Sequence, residues 1–189
     1  MTREISVKPF AWDHWRSLWE LRFHQLAENG IVLSFDDIPA QPEDAGRDHP
    51  EWDYHHIAEV YLRDAGGFWL AWSDDTAVGH VGGQDLGGVI ELRRMYVRAD
   101  YRRRGIGAHL VRALTAHSVA RGVKAIELWT AQDGPGRFLY ARTGFREVSG
   151  PGFADAVTLT GRTPSDREIR MRLDLSNLKG HTMGTFYGL

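Results

Sequence analysis

One stretch of the chain, residues 89–129, constrains the fold more than any other. Alternating apolar residues at 89–97 predict a strand, and a turn with two glycines follows it. Apolar residues at helical spacing then predict a helix over 105–121, and the apolar run 125–129 predicts another strand. Successive strand, helix and strand form a crossover whose two strands run parallel in one sheet. The chain is therefore predicted to contain a βαβ unit.

Strand and helix patterns also occur on both sides of this unit. Further strands are predicted at 5–10, 68–72, 77–81, 145–148 and 168–175. Further helices are predicted at 11–27 and 53–65, and a short one is predicted to follow the loop 133–136 and to end at 143–144. The pairs Gly82-Gly83 and Gly87-Gly88 are expected to bracket a turn within an antiparallel meander. The fold class is α/β (α+β), with a mixed, mostly antiparallel sheet of about six to seven strands flanked by helices.

Charge divides the chain in two. Residues 1–88 contain 6 Lys/Arg and 16 Asp/Glu, a net charge of -10, whereas residues 89–189 contain 17 and 9, a net charge of +8. This division predicts a polyanion as the partner of one half and a cation as the partner of the other. Nucleic acid is a poor candidate for the polyanion, because the whole chain has a net charge of -2 and its arginines concentrate in one short stretch.

Composition excludes several other classes. There is no run of about eighteen apolar residues, so no membrane span is expected, and the first residues lack the apolar core of a secretory signal. The 189 residues contain no cysteine, which excludes disulfides and thiol catalysis. We expect a single domain over 1–175, a C-terminal tail at 176–189, and a cytoplasmic location.

The turn before the predicted helix 105–121 has the chemistry of an anion site. Gly105 and Gly107 leave the backbone accessible, and a helix start presents unpaired N–H groups at the positive end of the helix dipole. Six arginines occur within twelve positions, namely Arg93, Arg94, Arg98, Arg102, Arg103 and Arg104. This combination predicts a pyrophosphate ligand. The alternative is a glycine-rich helix start with solvated arginines.

Two common phosphate motifs do not match this turn. A P-loop requires Gly-Lys-Ser/Thr, but Ala108 and His109 follow Gly107. A dinucleotide site of the Rossmann type requires a third glycine, and position 110 is Leu110. Nucleoside triphosphate and dinucleotide chemistry are therefore not expected.

Two segments together resemble a known family. The first begins at Leu92 and includes Arg102-Arg103-Arg104-Gly105-Ile106-Gly107, and the second is Phe138-Leu139-Tyr140-Ala141-Arg142-Thr143-Gly144-Phe145. They resemble the Gln/Arg-x-x-Gly-x-Gly/Ala signature and the LYxxxGF segment of the GNAT superfamily of N-acetyltransferases. The resemblance covers residues 68–175 as a coenzyme-binding core, with 1–67 as the variable acceptor-side region.

The resemblance implies acetyl-CoA as the cosubstrate and no metal. Backbone N–H groups at 103–108 would hold the pyrophosphate of coenzyme A, and the strand edge at Met95 and Val97 would pair with the pantetheine arm. The strands 89–97 and 125–129 would separate to admit that arm. The implied cofactor-binding residues are Met95, Tyr96, Val97, Arg102, Arg103, Arg104, Gly105, Ile106, Gly107, Ala108, Asp133 and Tyr140.

Tyr140 and Glu91 are the implied catalytic residues. Tyr140 matches the tyrosine that many family members use as general acid toward the departing thiolate. A structural tyrosine that caps the sheet is the alternative. Glu91 stands eleven residues before Arg102, which is the separation between the base glutamate and the signature in histone-acetylating members.

The position of Glu91 can also be predicted from strand alternation. A period of two places Glu91 on the same face as Arg93, Met95 and Val97. An ion pair between Glu91 and an arginine, which would only shape the site, remains an alternative to a base. Histidines on the acceptor side are other candidate bases, namely His55, His56 and His80.

Two positions depart from the family pattern. Asp133 stands where the family often has an asparagine in contact with pantetheine, and Gly136 stands where an alanine is common. These departures leave the geometry of the loop 131–137 open. A carboxylate at Asp133 suits a cationic acceptor better than it suits the coenzyme.

The stretch 49–56 is acidic, aromatic and rich in histidine. On a helix the adjacent His55 and His56 diverge by about 100°, so a shared metal ion is not predicted. A solvated loop with a few packing aromatics is favoured over a wall that binds a cationic acceptor. The series Trp12, Trp15 and Trp19 is predicted to pack in the core.

The expected function is acetyl transfer from acetyl-CoA to a primary amine of a small molecule, by direct attack in a ternary complex. Two alternatives stay open: acetylation of a protein lysine or N-terminus, and a non-catalytic module that binds coenzyme A. No nucleic acid and no membrane partner is expected, and a homodimer is left open.

Overall fold

The computed structural model of the chain describes residues 4–149 and 165–176. The strands are β1 (Ile5–Pro9), β2 (Gly67–Ser73), β3 (Thr76–Asp85), β4 (Val89–Val97), β5 (Ala125–Ala131), β6 (Arg146–Val148) and β7 (Glu168–Asp174). The helices are α1 (Trp15–Glu28), α2 (Trp52–His55), α3 (Ile57–Val60), α4 (Ile106–Ala120) and α5 (Pro135–Arg142). Short 3-10 turns occur at Trp12–His14, Phe35–Asp37 and Ala99–Tyr101. The predicted tail lies outside the described residues from position 177 onward.

The seven strands form one sheet with the order β1-β2-β3-β4-β5-β7-β6. β4 and β5 run parallel, as the βαβ prediction requires, while the other neighbouring strands in this order are antiparallel. The prediction of a mixed, mostly antiparallel sheet flanked by helices is therefore confirmed.

α4 covers one face of the sheet. It begins after Gly105, whose φ of 81° lies in the left-handed region that favours glycine, and the chain turns away again at Gly122. Its inner residues Ile106, Leu110 and Leu114 are at most 1% exposed. Burial of each such side chain contributes roughly 1.5–3 kcal/mol to folding, so the apolar stripe of α4 holds the helix against β2, β3 and β4.

α1, α2 and α3 contribute to a second apolar cluster, on the opposite face. Trp15 and Trp19 are buried there with residues of β2, in agreement with the prediction of core packing. Trp12 is 53% exposed, so the same prediction is wrong for that residue. The reason is that Trp12 belongs to a 3-10 turn that precedes α1 and is out of phase with its apolar stripe.

The predicted helix 53–65 is instead two single turns, α2 and α3, which meet at His56. His56 has φ -105° and ψ 31°, outside the helical region. The residues of α2 are all buried and bond to different elements: Asp53 to β4, Tyr54 to β3, and His55 to the loop before α2. These tertiary bonds outweigh the helical pattern.

The pair Gly82-Gly83 lies inside β3, so the prediction that it begins a turn is wrong. A Cβ at Gly82 would lie 2.7 Å from Cε1 of Tyr61, and a Cβ at Gly83 would lie 2.4 Å from Cδ1 of Leu114. Close packing on both faces of the sheet therefore requires glycine here. The turn between β3 and β4 is formed by Gly87 and its neighbour, both at positive φ.

β4 contains a bulge at positions 94–95. Opposite these two residues, β3 has only Val81 between its paired residues His80 and Gly82. Arg94 has φ 51°, a left-handed conformation that is uncommon for a residue with a side chain. The bulge therefore places an arginine in a backbone conformation that glycine usually adopts.

The bulge reverses the alternation of side chains along β4. Before it, Ile90 and Leu92 pack in the cluster beneath α4, which leaves Glu91 on the opposite face. After it, Met95 and Val97 pack against the α4 cluster. The prediction that Glu91 shares a face with Met95 and Val97 is therefore wrong, because one inserted residue shifts a period-two pattern to the other face.

β4 and β5 separate part-way along their length. Their last paired residues are Glu91 and Glu127. Beyond them β4 stays paired with β3 as far as Val97, and β5 stays paired with β7 as far as Ala131. A gap therefore opens between the two strands at their carboxyl ends. Among the described helices, none has the length and apolar character needed to cross a membrane.

Candidate functional site

A cleft of about 1620 Å³ occupies the gap between β4 and β5. Residues 91–97 of β4 line one wall, and residues 129–131 of β5 line the other together with α5. The cleft extends from the start of α4 to the loop 47–50 and the first two residues of α2. Pockets for one small molecule usually measure roughly 300–1,000 Å³, so this cleft has room for a long ligand and a second molecule.

The start of α4 forms one end of the cleft. The first bond that closes the helix runs from the His109 N–H to the Gly105 carbonyl, at 3.1 Å. The N–H groups of Ile106, Gly107 and Ala108 precede it and have no carbonyl within the helix to bond to. All three residues line the cleft. An anion placed there meets free amide hydrogens at the positive end of the helix dipole.

Gly107 has a packing role that the sequence did not reveal. A Cβ at this position would lie 2.9 Å from Cδ2 of Leu139 on α5. A glycine therefore allows α4 and α5 to approach at the mouth of the cleft. The position was predicted as an opening for an anion, and the structure adds a steric reason for the missing side chain.

The six arginines of 93–104 have different partners. Arg102 donates from Nε to the Val97 carbonyl at 2.8 Å and forms an ion pair with Glu28 of α1. Arg98 and Arg104 lie over the Tyr101 ring, at 5.2 and 5.1 Å from its centroid. These contacts brace the segment that leads into α4.

The remaining three arginines of this group are distributed over both sides of the cleft. Arg103, at φ 62°, lines the cleft near the start of α4. Arg93 donates from Nη1 to Gln84 Oε1 at 3.0 Å. Arg94 forms an ion pair with Asp53 of α2. The arginine cluster of the sequence is therefore not one site.

Two further arginines line the cleft on the side of α4 and α5, and neither was predicted from the sequence. Arg112 follows Ala108 by four residues, so it lies on the same side of α4. Arg142 lies at the end of α5. The four-residue spacing from Ala108 was a usable signal for Arg112. No comparable signal marked Arg142, because its place depends on how α5 packs.

Tyr140 lies on α5, lines the cleft and is only 6% exposed. Burial raises its pKa far above the usual value, so its phenol is neutral at physiological pH and can donate a proton. Gly136 lies one turn before it. A Cβ on Gly136 would lie 2.7 Å from Oγ1 of Thr130 and 3.2 Å from Cε2 of Tyr140. Glycine at this departure from the family pattern therefore lets α5 lie close to β5.

Glu91 lies at the inner end of the cleft, in the last pair of residues before β4 and β5 separate. It is 6% exposed, and its Oε2 lies 3.8 Å from Nη1 of Arg93. Its neighbour across the parallel pair is Glu127, which is 2% exposed and bonds to Nη1 of Arg172 at 2.5 Å. Two carboxylates therefore occupy adjacent positions on one face. Glu127 was not predicted as a site residue, although its place within an apolar strand was a signal.

His80 and His55, two of the alternative bases, lie away from the cleft lining. His80 is completely buried and bonds to Tyr54 Oη at 3.2 Å and to the Arg94 carbonyl. Burial lowers its pKa to about 3. The Nδ1 atom of His55 accepts a hydrogen bond from the Glu43 N–H at 3.1 Å, and burial lowers its pKa too. His56, the third, stacks on Trp52.

Comparison with known proteins gives this architecture a family. The sequence matches the model of the acetyltransferase (GNAT) family over residues 31–145, more than half of the chain. The chain belongs to the GNAT acetyltransferase family. An uncharacterized N-acetyltransferase of Methanocaldococcus jannaschii is 28% identical over 105 residues, which are 51% of this chain and 46% of that relative. The match thus spans less than half of the relative's length.

Solved structures show the same fold. The GNAT-family acetyltransferase of Staphylococcus aureus Mu50 has a TM-score of 0.67 and 22% identity, covering 91% of this chain and 99% of that chain. The PaiA N-acetyltransferase of Thermoplasma acidophilum, solved in complex with coenzyme A, has a TM-score of 0.61 and 15% identity over 90% of this chain and 99% of that chain.

Two predicted cofactor-binding residues of this GNAT protein do not line the cleft. The side chain of Arg104 donates to the Asp100 carbonyl at 2.9 Å and lies over Tyr101. Asp133 lies in the turn after β5, outside the cleft lining. The other ten predicted residues lie along it, namely Met95, Tyr96, Val97, Arg102, Arg103, Gly105, Ile106, Gly107, Ala108 and Tyr140.

The acidic stretch 49–56 is neutralised by arginines from other elements. Glu51 accepts from Arg22 of α1 at 2.6 Å, and Asp53 accepts from Arg94 of β4. Carboxylates that already form ion pairs have little charge left to attract a cation. The sequence left open an acidic wall that binds a cationic acceptor. Glu51 and Asp53, the two buried acids of that stretch, are already paired with arginines and are not available for this role.

Proposed function

We propose that this GNAT protein transfers an acetyl group from acetyl-CoA to the primary amine of a small molecule, by direct attack in a ternary complex. One observation carries the proposal: a single cleft joins the amide groups at the start of α4 to Glu91 and Tyr140. The start of α4 suits a pyrophosphate. The other part of the cleft supplies the Glu91 carboxylate and the Tyr140 phenol, where β4 and β5 separate. We assign the activity to one domain over residues 1–175.

The coenzyme binds along the gap in this proposal. Its pyrophosphate contacts the N–H groups at the start of α4, with Arg103, Arg112 and Arg142 nearby to offset its charge. Its pantetheine arm pairs with the β4 edge at 95–97, which has no strand partner on the side of β5 within residues 4–149 and 165–176. The coenzyme A complex of the Thermoplasma acidophilum PaiA protein, which has the same fold, supports this choice of ligand.

The attacking amine must lose a proton. A free alkylamine has a pKa near ~10, so at neutral pH a base or a path to water is needed. Glu91 is the candidate base because it lies at the inner end of the cleft, on the face of the sheet away from α4. Arg93, 3.8 Å away, holds the Glu91 side chain beside the gap.

The departing thiolate of coenzyme A must gain a proton. Tyr140 lies on the wall of the cleft and keeps its proton because burial raises its pKa. It therefore acts as general acid toward the sulfur in this proposal. The proton returns to the phenol from solvent after the products leave.

The cleft favours a small acceptor over a protein chain. The loop 47–50, the start of α2 and the end of α1 enclose the side of the cleft from which an amine would approach. Trp52 stacks on His56, and Arg47 lies 5.1 Å above the Trp52 ring, so this wall is well packed. A packed wall on the side of amine approach supports a small acceptor in this proposal.

The test is a measurement of thiol release from acetyl-CoA with a panel of amines, including amino acids, polyamines and a lysine peptide. We expect amine-dependent release with a small amine and formation of its N-acetyl product. Turnover with the peptide alone would move the assignment to protein acetylation. Tight binding of acetyl-CoA without turnover on any amine would contradict the enzymatic proposal.

A further inference from the structure

The bulge of β4 is held from the acceptor side by a largely buried hydrogen-bonded group of side chains, which we call the bulge network: Asp53, Tyr54, His80 and Arg94. Arg94 donates from Nε to Asp53 Oδ2 at 2.8 Å, and its Nη2 bonds to Asp53 Oδ1 and, at 2.9 Å, to the Pro50 carbonyl. Tyr61 donates to Asp53 Oδ2 at 2.5 Å. α2 and the bulge are thereby joined across a sequence separation of about forty residues.

The charges within the bulge network are matched. Burial alone would raise the pKa of Asp53, but the hydrogen bonds and charge of Arg94 outweigh burial and hold that pKa below its usual value. The Arg94 guanidinium also lies 4.7 Å above the Tyr54 ring. A paired, hydrogen-bonded charge of this kind can be buried, whereas removal of one member leaves the other uncompensated.

His80 fixes the backbone of the bulge. The Arg94 carbonyl can only accept, so Nδ1 of His80 must carry a proton and donate to it. The Tyr54 hydroxyl then donates to Nε2 at 3.2 Å. The two bonds select one neutral tautomer of the imidazole and fix the direction of the Arg94 carbonyl.

The direction of that carbonyl determines the direction of the next amide. In a trans peptide the C=O and the following N–H point to opposite sides, and no described peptide of this chain is cis. Since the Arg94 carbonyl points to the His80 imidazole, the Met95 N–H points away from that imidazole. Met95 lines the cleft between β4 and β5.

We propose that Asp53, His80 and Arg94 are positioning residues that aim the Met95 N–H at the carbonyl oxygen of the acetyl thioester. The proposal rests on the function proposed above. A donor aimed at that oxygen stabilises the charge that develops on it when the amine attacks. The three side chains themselves do not touch the reacting atoms.

A merely structural role does not account for this construction. A left-handed conformation strains a residue with a side chain, and a glycine at position 94 would form the same bulge without that strain. The chain instead uses Arg94 and buries a matching Asp53. The ion pair with Asp53 therefore holds the bulge in one conformation. A hydrogen-bond donor can be aligned with a reacting atom only if its backbone is held in this way.

The experiment compares His80→Phe with His80→Asn. Phenylalanine fills the space without a donor, while the asparagine amide can still donate to the Arg94 carbonyl. We expect kcat to fall about 10- to 100-fold in His80→Phe, with KM for acetyl-CoA within about threefold of wild type, and to recover partly in His80→Asn. Tyr61→Phe is the matched control: it removes a buried bond to Asp53, leaves the bonds of Arg94, and keeps kcat near wild type.

The second measurement is the amide NMR shift of Met95 on addition of acetyl-CoA. We expect a large shift in wild type and in Tyr61→Phe, and a much smaller one in His80→Phe. If His80→Phe does not fold, the double variant Asp53→Asn/Arg94→Gly replaces it, since glycine accepts positive φ and no lone charge remains. We expect a smaller loss of kcat and of the Met95 shift than in His80→Phe, because His80 can still donate to the carbonyl of residue 94, and wild-type values of both would overturn the proposal.

A folded His80→Phe with wild-type kcat, or with a normal Met95 shift, overturns the proposal. The NMR measurement needs no acceptor, so it separates this proposal from the proposed function. A wild-type protein that acetylates no amine but shows the Met95 shift would refute the activity and leave the positioning role in place. Absence of the shift in wild type would refute the positioning role alone.

Discussion

The two sides of the cleft hold their polar groups in opposite states. At the start of α4 the backbone N–H groups have no partners within the helix, and an anion can bind without breaking any internal contact. On the acceptor side three carboxylates are already paired: Glu51 with Arg22, Asp53 with Arg94, and Glu28 with Arg102. A cation could bind to these three by charge only if an ion pair gave way.

This contrast shows that the net charge of each half of the chain does not indicate where a ligand binds. The first half of the chain is acidic and the second is basic, yet arginines of the second half neutralise acids of the first. The pairing joins the two halves of the fold. What remains available to a ligand is the backbone on one side and a packed wall on the other.

The largest expected effect is on coenzyme A affinity, at the start of α4. Gly107→Trp should weaken coenzyme A binding by at least about 100-fold, or about 2.7 kcal/mol, measured by calorimetry. The indole would occupy the space before the amide groups and would also meet Leu139, which is 2.9 Å from the position of a Cβ. His109→Trp is the matched control, because His109 is exposed at the same helix start and lies outside the cleft. Unchanged affinity in Gly107→Trp would remove the start of α4 from the binding site.

The next largest expected effect is on kcat and concerns the Tyr140 phenol. Tyr140→Phe should lower kcat by about tenfold or more and leave coenzyme affinity unchanged. The pKa of Tyr140 is raised, so the wild-type rate should show no loss from ionisation of this phenol up to about pH 10. Equal loss of kcat and of coenzyme affinity would indicate a packing role instead.

The base on the acceptor side gives a somewhat smaller effect. Glu91→Gln should lower kcat about tenfold at pH 7, and the loss should shrink at higher pH as more of the amine becomes neutral in solution. Glu127→Gln serves as the comparison, since it alters the adjacent carboxylate across the strand pair. A rate at pH 7 that Glu91→Gln leaves unaltered would place the base elsewhere.

The smallest expected effect concerns the contacts of Glu28 with Tyr96 and Arg102, which join α1 to β4 and to the segment before α4. Burial alone would raise the pKa of Glu28, but hydrogen bonds from Tyr96 and Arg102 outweigh it and lower that pKa. A carboxylate with a lowered pKa stabilises the fold above its unfolded-state pKa, and this contribution is lost as pH falls through the folded-state value. Glu28→Gln should therefore lower the free energy of unfolding by up to about 1 kcal/mol at pH 7, because the pair is partly exposed.

Denaturation at a series of pH values checks this prediction. The difference between Glu28→Gln and wild type should disappear in acid, where both side chains are uncharged. Gln25→Ala, on the same helix and also on the cleft, is a control without a titratable change. A difference that persists at low pH would show that Glu28 acts through packing.

Local patterns predicted the coenzyme half of the molecule well. The spacing of Ile106, Leu110 and Leu114 and the glycine before them define α4, because the features that form a helix lie within a few residues of one another. The acceptor half was predicted less well. The break at His56 and the glycines of β3 follow from contacts with residues distant in the chain.

The sequence by itself determined the βαβ unit, the glycine turn before α4 and the family, since each depends on residue order over short distances. Only the tertiary structure decided which face Glu91 occupies, where β4 and β5 separate, and which acids are neutralised. The physical reason is that a single bulge, at Arg94, reverses the alternation of β4, and what stabilises it is an ion pair to α2. A local pattern cannot contain a partner that the fold alone brings near.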